Sequence, residues 1–242
     1  MEKKQGMIKC YDQLYSTTSN FKEEWDGRIA TEYKVPKYIR TFLSTFRGKA
    51  PMDVLELGAG NGEVSELIRR ENPRFIKSYV ATELSREGVK KLREKGFKAF
   101  EVDAQDLSRF PDNSFDLVFC IDTMHHVSEP RKMAQEMLRV SRKYVFLIEA
   151  NGICALRKLL EHTSRKYKEA GENSYAPWRY KSFFTSGRHR ARRFLIWPFL
   201  FSVPFTPSAL IKPNILLSEL LERVPLLRWQ GSGVVMVMEK SR

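Results

Sequence analysis

An apolar run, Met52 to Leu57, leads straight into three glycines at alternate positions, Gly58, Gly60 and Gly62. Val64, Leu67 and Ile68 then recur at helical spacing. Strand, tight glycine turn and helix in that order leave few folds open. Without Cβ atoms the turn can bring backbone close to a ligand. The helix start offers unpaired N–H groups and the positive end of its dipole. A nucleotide-like ligand with an acidic end suits such a junction.

The alternation continues to about residue 150. Ser78–Thr82 reads as a second strand ending at Glu83, and Lys98–Val102 as a third ending at Asp103. Phe115–Ile121 is nearly all apolar, as a central parallel strand should be, and ends at Asp122. Tyr144–Ile148 is the fifth, followed by Glu149. Helices fill the gaps: one from about Asn61 stopping at Asn72-Pro73, one over Arg86–Lys95 capped by Ser85, and one from Glu129-Pro130 to about Val140. Strands separated by helices predict an α/β, doubly wound parallel sheet with right-handed crossovers. If the strand order is three-two-one-four-five, the acidic strand ends share one rim, where such sheets bind ligands.

The remainder is read as an elaboration of a single domain. Residues 1–50 form a helical cap, with Ile29, Tyr33, Ile39, Phe42 and Leu43 at helix-compatible spacing and Pro36 starting a new helix. Residues 51–150 are the ligand-binding core. Residues 151–230 are a basic and apolar covering region, and residues 231–242 hold a final strand and tail. Within the covering region Ile153–Ala170 reads as one helix with a basic face and Ile215–Val224 as another. The formal net charge of +13 favours anionic partners, or reflects only a basic, solvated surface. Cys10, Cys120 and Cys154 are few and far apart, which suggests a reducing cytoplasm and neither a disulfide framework nor a metal site. The first ten residues hold no apolar stretch of signal-peptide length.

The loop Glu56-Leu57-Gly58-Ala59-Gly60-Asn61-Gly62 resembles the E/D-x-G-x-G-x-G turn of the class I S-adenosylmethionine-dependent methyltransferases. A dinucleotide turn would place its third glycine at Glu63 instead. Glu83 matches that family's acidic residue after strand two, and Asp103-Ala104-Gln105 its motif after strand three. Phe115-Asp116-Leu117-Val118-Phe119-Cys120 with Met124-His125-His126 is similar to the strand-four motif of the small-molecule branch, methyltransferase type 11. Glu136 to Tyr144 resembles a further segment of that branch. The resemblance implies a Rossmann-like, mostly parallel seven-stranded sheet whose last strand is antiparallel. It implies S-adenosylmethionine as cofactor, held by Glu56, Gly58, Ala59, Gly60, Asn61, Gly62, Glu83, Leu84, Asp103, Ala104, Gln105 and Cys120. Tyr11 and Tyr15 resemble tyrosines that fold over the cofactor in this family; aromatic core packing is the alternative.

Methyl transfer from a sulfonium is an in-line displacement in which the protein mainly positions and desolvates. A base is needed only if the acceptor must lose a proton, and Asp122 and His125 are the candidates, with a packed neutral histidine as the alternative. No N/D-P-P-Y tetrad follows strand four, which disfavours a nucleobase amine, and no Pro-Cys pair follows it either. The acceptor is expected to be a small or amphipathic, even lipid-linked, molecule. Cations interleaved with aromatics over 157–193 leave RNA open as a less favoured acceptor. A non-catalytic cofactor-binding subunit is the third alternative. Phe194 to Ile211 carries no charge but three prolines, so a spanning helix is not expected. A buried strand walling a substrate cavity is favoured there. Contact of Phe194–Phe205 with a membrane surface, making the protein peripheral, is the sharper alternative.

Overall fold

The computed structural model describes residues 2–18, 20–71, 73–169 and 171–241. The helix stop expected at Asn72 and the helix end expected at Ala170 lie outside the described residues. In chain order the elements are α1 (Glu2–Thr17), α2 (Phe21–Asp26), a π-helical turn (Ala30–Lys34) and α3 (Val35–Phe46). Then come β1 (Met52–Leu57), α4 (Glu63–Arg70), β2 (Ile76–Glu83), α5 (Arg86–Glu94) and β3 (Lys98–Glu101). They are followed by β4 (Phe115–Ile121), a 3-10 turn (Met124–His126), α6 (Pro130–Val140) and β5 (Ser141–Ala150). The last part contains α7 (Ala155–Thr163), α8 (Arg165–Glu169), α9 (Pro177–Thr185), β6 (Ala191–Phe199), α10 (Ser208–Leu221), α11 (Pro225–Arg228) and β7 (Gly233–Lys240).

The seven strands form one sheet in the order β3-β2-β1-β4-β5-β7-β6. β1 to β5 are parallel, and β7 runs antiparallel between β5 and β6. β1 lies between β2 and β4, with Leu57 paired to Thr82 on one side and Cys120 on the other. The carboxyl ends of these strands are therefore level. Here the strand order reverses direction, which opens a crevice at that rim.

Apolar layers pack both faces. On one, Phe42 of α3 meets Phe119 and Phe146 with ring centroids 4.7 Å and 5.2 Å away. On the other, Met133 and Met137 of α6 and Tyr180 and Phe184 of α9 are fully buried with the inner face of β4 and β5. Each buried aromatic ring of this size contributes about 1.5–3 kcal/mol by area alone. The carbonyls of Leu107 and Phe110, in the loop before β4, accept from Arg139 of α6, which also binds Glu136 and Asp112.

Pro36 stands in the first turn of α3, as expected, although the π-helical turn runs into that helix without a break. Three expectations change. The helix expected over 153–170 breaks at Ser164, whose backbone is extended. Pro213 sits inside α10, which begins at Ser208, ahead of the expected Ile215. The strand in the uncharged stretch begins earlier, at Ala191, and lies at the sheet edge. Its outward side chains are exposed, Leu195 at 64 %, and only Pro198 and Phe199 are buried. The loop after it, Phe201–Pro204, lines a cavity in its place.

Candidate active site

The crevice at the rim holds a cavity of about 500 Å³. Its floor is the turn after β1. Gly58 and Gly60 have φ of 66° and 59°, the left-handed region. A Cβ on Gly58 would lie 2.4 Å from the Thr123 methyl, and one on Gly60 3.0 Å from the Tyr15 hydroxyl. The turn is thus a cradle that any side chain would fill. Ala59 and Asn61 line it too. The Asn61 amide donates to Glu63 at 2.8 Å, and Glu63 in turn accepts the backbone N–H of Phe21 and Lys22. That carboxylate ties the start of α2 to the glycine turn.

The carboxylate of Glu83 accepts from Gly60 N at 2.8 Å, Leu84 N at 2.8 Å and Ser85 N at 3.0 Å. Burial raises its pKa, against the pull of these three donors. Oε1 takes two of these donors and Oε2 one, so Oε2 can still accept a ribose hydroxyl. Asp103, Ala104 and Gln105 line the same cavity after β3, as does Leu84. Gln105 also bridges outward, accepting from Ser128 Oγ at 3.0 Å and Glu129 N at 2.6 Å. Tyr11 and Tyr15 of α1 stack at 5.7 Å and close the cavity from above. They both pack with each other and face the cavity.

A polar network occupies the end of β4. Asp122, at φ 52°, pairs with Lys22 at 3.2 Å and Lys34 at 3.5 Å and accepts from Tyr38 Oη at 3.3 Å. Burial opposes its charge, but the two ammonium groups hold its carboxyl well below the usual range. A carboxylate so clamped is a weak base. Glu149, fully buried at the end of β5, accepts the N–H of Thr123 at 3.1 Å and of Met124 at 2.8 Å, which sets the 3-10 turn. It also binds His125 Nδ1 at 2.6 Å, and Glu172 lies 3.0 Å from His125 Nε2. Burial works against the imidazolium, but these carboxylates push it up to about 9. A protonated ring between two carboxylates has no lone pair for a substrate. His126 is the opposite case: burial, then the charge of His125, lowers it to about 4.

Two residues expected at the cofactor do not reach the cavity walls. Cys120 is fully buried and its thiol donates to Glu149 at 3.4 Å. Gly62 turns away and packs on α5, where a Cβ would meet Leu92 at 2.8 Å. Sequence reading missed Lys22, Lys34, Glu149 as a turn anchor, Arg157 and Glu172. Arg157 was expected on a solvated basic face; it points inward and binds Glu161 and Glu172. Charged residues inside otherwise apolar helices, such as Lys34 between Tyr33 and Val35, were the available signal.

A second, mainly apolar cavity of about 280 Å³ adjoins the first and shares Lys34, Asp122 and Arg157 with it. Leu156, Leu160, Leu217 and Leu221 wall it. Tyr167 and Asn214 also line it; Tyr167 Oη and Asn214 Oδ1 are buried, and among the described residues neither has a hydrogen-bond partner.

Glu56 offers a pH test of the floor. Burial pushes its carboxyl up to about 7, against hydroxyl donors on Ser65 and Tyr79. Its pKa is thus higher folded than unfolded, so the fold binds the extra proton. Stability from this group is full below about 4.5 and declines as pH rises to about 7. Glu56→Gln keeps an acceptor and removes the charge. It is expected to flatten that limb and to gain about 1–3 kcal/mol over wild type at pH 8. Thermal melts from pH 5 to 8 check this; parallel curves for the two proteins would contradict it.

Residues 55–148 match the family described as methyltransferase domain. The uncharacterized methyltransferase YcgJ of Bacillus subtilis is 28% identical over 109 residues. That alignment spans 42% of this chain and 41% of YcgJ, less than half of either. Among solved structures, a chain of the Haloferax volcanii complex between the Trm112 methyltransferase activator and its methyltransferase superposes with a TM-score of 0.65 at 16% identity. It covers 96% of this chain and 98% of that one. A Thermotoga maritima S-adenosylmethionine-dependent methyltransferase gives 0.63 at 16% identity, covering 96% and 100%.

Proposed function

Since residues 55–148 match a methyltransferase domain, we propose that the protein is a class I S-adenosylmethionine-dependent methyltransferase that transfers the sulfonium methyl group to an amphipathic small molecule. The cofactor supplies the electrophile. The glycine turn, Glu83 and Asp103–Gln105 would hold it, and Tyr11 and Tyr15 would keep water from it. The residues fit this group because the cradle admits backbone contact alone and its rim is acidic.

The observation that carries the acceptor class is the second cavity. It is mainly apolar, adjoins the cofactor cavity, and shares Lys34, Asp122 and Arg157 with it. A hydrophobic body fits there, with its nucleophile delivered past Asp122 to the methyl group. Asp122 and His125 then orient and neutralise; neither serves as base. This distribution supports an amphipathic acceptor over RNA, and Arg157 of the basic stretch is turned inward.

The mouth of this cavity supports contact with an anionic lipid surface. Leu216, Leu217 and Leu220 of α10 are each at least half exposed, and Leu226 of α11 is 85 % exposed. Lys212 and Arg223 flank them and are exposed. Lys166 stands 5.1 Å over the Phe205 ring. Such a face adds apolar burial to electrostatic attraction. Among the described residues no helix is long and apolar enough to cross a membrane. Of the uncharged stretch proposed for this contact, Leu195, Val203 and Phe205 are exposed, whereas Phe199 and Leu200 are buried.

Incubation with methyl-labelled S-adenosylmethionine and anionic vesicles made from a cellular lipid extract tests the reading. Label is expected in the organic phase, with the protein floating on the vesicles, and Leu226→Asp is expected to abolish flotation. Label in nuclease-sensitive, acid-precipitable material would overturn it in favour of RNA.

A further inference from the structure

We propose that His125, His126 and Glu172 form a binding site for one divalent cation of the zinc or cobalt type in the wall of the larger cavity. One ligand atom from each lies within 4.8 Å of the others. His125 Nε2 is 3.0 Å from Glu172 Oε2, and His126 Nε2 is 3.9 Å from Glu172 Oε1. The second gap is too long for a hydrogen bond. Donors about 2.0–2.2 Å from a tetrahedral ion stand roughly 3.3–3.6 Å apart, so a small turn of the Glu172 carboxylate completes the set.

The surroundings are built as metal sites are. His125 donates its Nδ1–H to the fully buried Glu149 at 2.6 Å, so its other nitrogen is aimed at Glu172, where an ion would take the place of the Nε2 proton. A carboxylate behind a histidine fixes the ring and raises its basicity as a ligand. Glu149 also gathers the backbone N–H groups of the 3-10 turn, so both histidines start from a fixed backbone. Arg157 holds Glu172 through Oε2, the oxygen nearer His125, which leaves Oε1 toward His126. The Nδ1 of His126 has no partner among the described residues, and its Nε2 has only a long contact, 3.5 Å to Tyr11 Oη, which an ion would replace. Two imidazoles and a carboxylate suit borderline divalent ions rather than magnesium or calcium. Three protein ligands would leave a fourth position facing the cavity, open to water or to an oxygen or nitrogen of the acceptor. No ligand spacing announces this set, because Glu172 comes from the covering region while the histidines follow β4.

The site goes beyond the methyl-transfer reading and is tested without turnover. Full-length protein carrying Cys10→Ser, to remove an exposed thiol, is stripped with chelator and titrated with Co²⁺ alone. One retained equivalent with the visible bands of a four-coordinate ion is expected. His126→Ala and Glu172→Gln are each expected to weaken binding at least 100-fold, and Glu149→Gln about 10–100-fold. His162→Ala, at an exposed histidine elsewhere, is expected to leave it unchanged. Thermal melts report folding; if Glu172→Gln unfolds by freeing Arg157, His126→Ala decides alone. No retained metal, or equal retention in His126→Ala, overturns the site, whatever S-adenosylhomocysteine binding shows.

Discussion

Gly60→Val is expected to weaken S-adenosylmethionine binding by at least about 100-fold, roughly 2.7 kcal/mol. The backbone at Gly60 has φ 59° and the place of its missing side chain is already 3.0 Å from the Tyr15 hydroxyl. A β-branched residue there is strained by about 1–2 kcal/mol. It also projects a side chain into the space where the cofactor would meet the backbone. Both effects act on the bound state, one by displacing the turn and one by filling the cavity. Isothermal calorimetry measures the loss. Gly6→Ala, in a helix with open space around it, should bind as wild type does. Wild-type affinity in Gly60→Val would mean that the ligand does not touch the turn.

Glu83→Ala is expected to cost comparable affinity and to lower the melting temperature. The mutation strips an acceptor from three buried or half-buried backbone N–H groups at once, those of Gly60, Leu84 and Ser85. Each donor left unpaired costs about 1–3 kcal/mol. Water entering the vacated space satisfies some of them, so a net loss of about 2–3 kcal/mol is reasonable, or about 4–12 °C for a chain of this size. Cofactor affinity should fall further, because the same carboxylate would accept the ribose hydroxyls. Glu83→Gln keeps one carbonyl acceptor and should fall between. Calorimetry and thermal melts separate the two effects; an unshifted melt together with unchanged affinity would remove Glu83 from both roles.

The parts of the site that were legible in the sequence are those governed by local rules. The glycine turn, the acidic ends of β2 and β3 and the alternation of strands and helices each depend on residues a few positions apart. Their burial pattern and backbone demands are written where they act. Tyr11 and Tyr15 were legible over the cavity through the family resemblance alone, with core packing as the alternative. The network around Asp122 was not. Lys22 and Lys34 come from the cap, Glu149 from β5, and Arg157 and Glu172 from the covering region, so the charge balance at β4 is set by segments far apart in sequence. An inward arginine in a basic stretch looks, as text, like its solvated neighbours. The same limit hid the protonation of His125, which depends on two carboxylates contributed by other elements. It also hid the edge position of β6, since an uncharged stretch reads as buried whether its outer face meets core or something beyond the chain.

The most direct measurement is a calorimetric titration of the wild-type protein with S-adenosylmethionine and with S-adenosylhomocysteine. One site per chain with heat from both compounds, lost in Gly60→Val, is the predicted result. No heat from either, with clear binding of a nicotinamide dinucleotide, would contradict the account at its root.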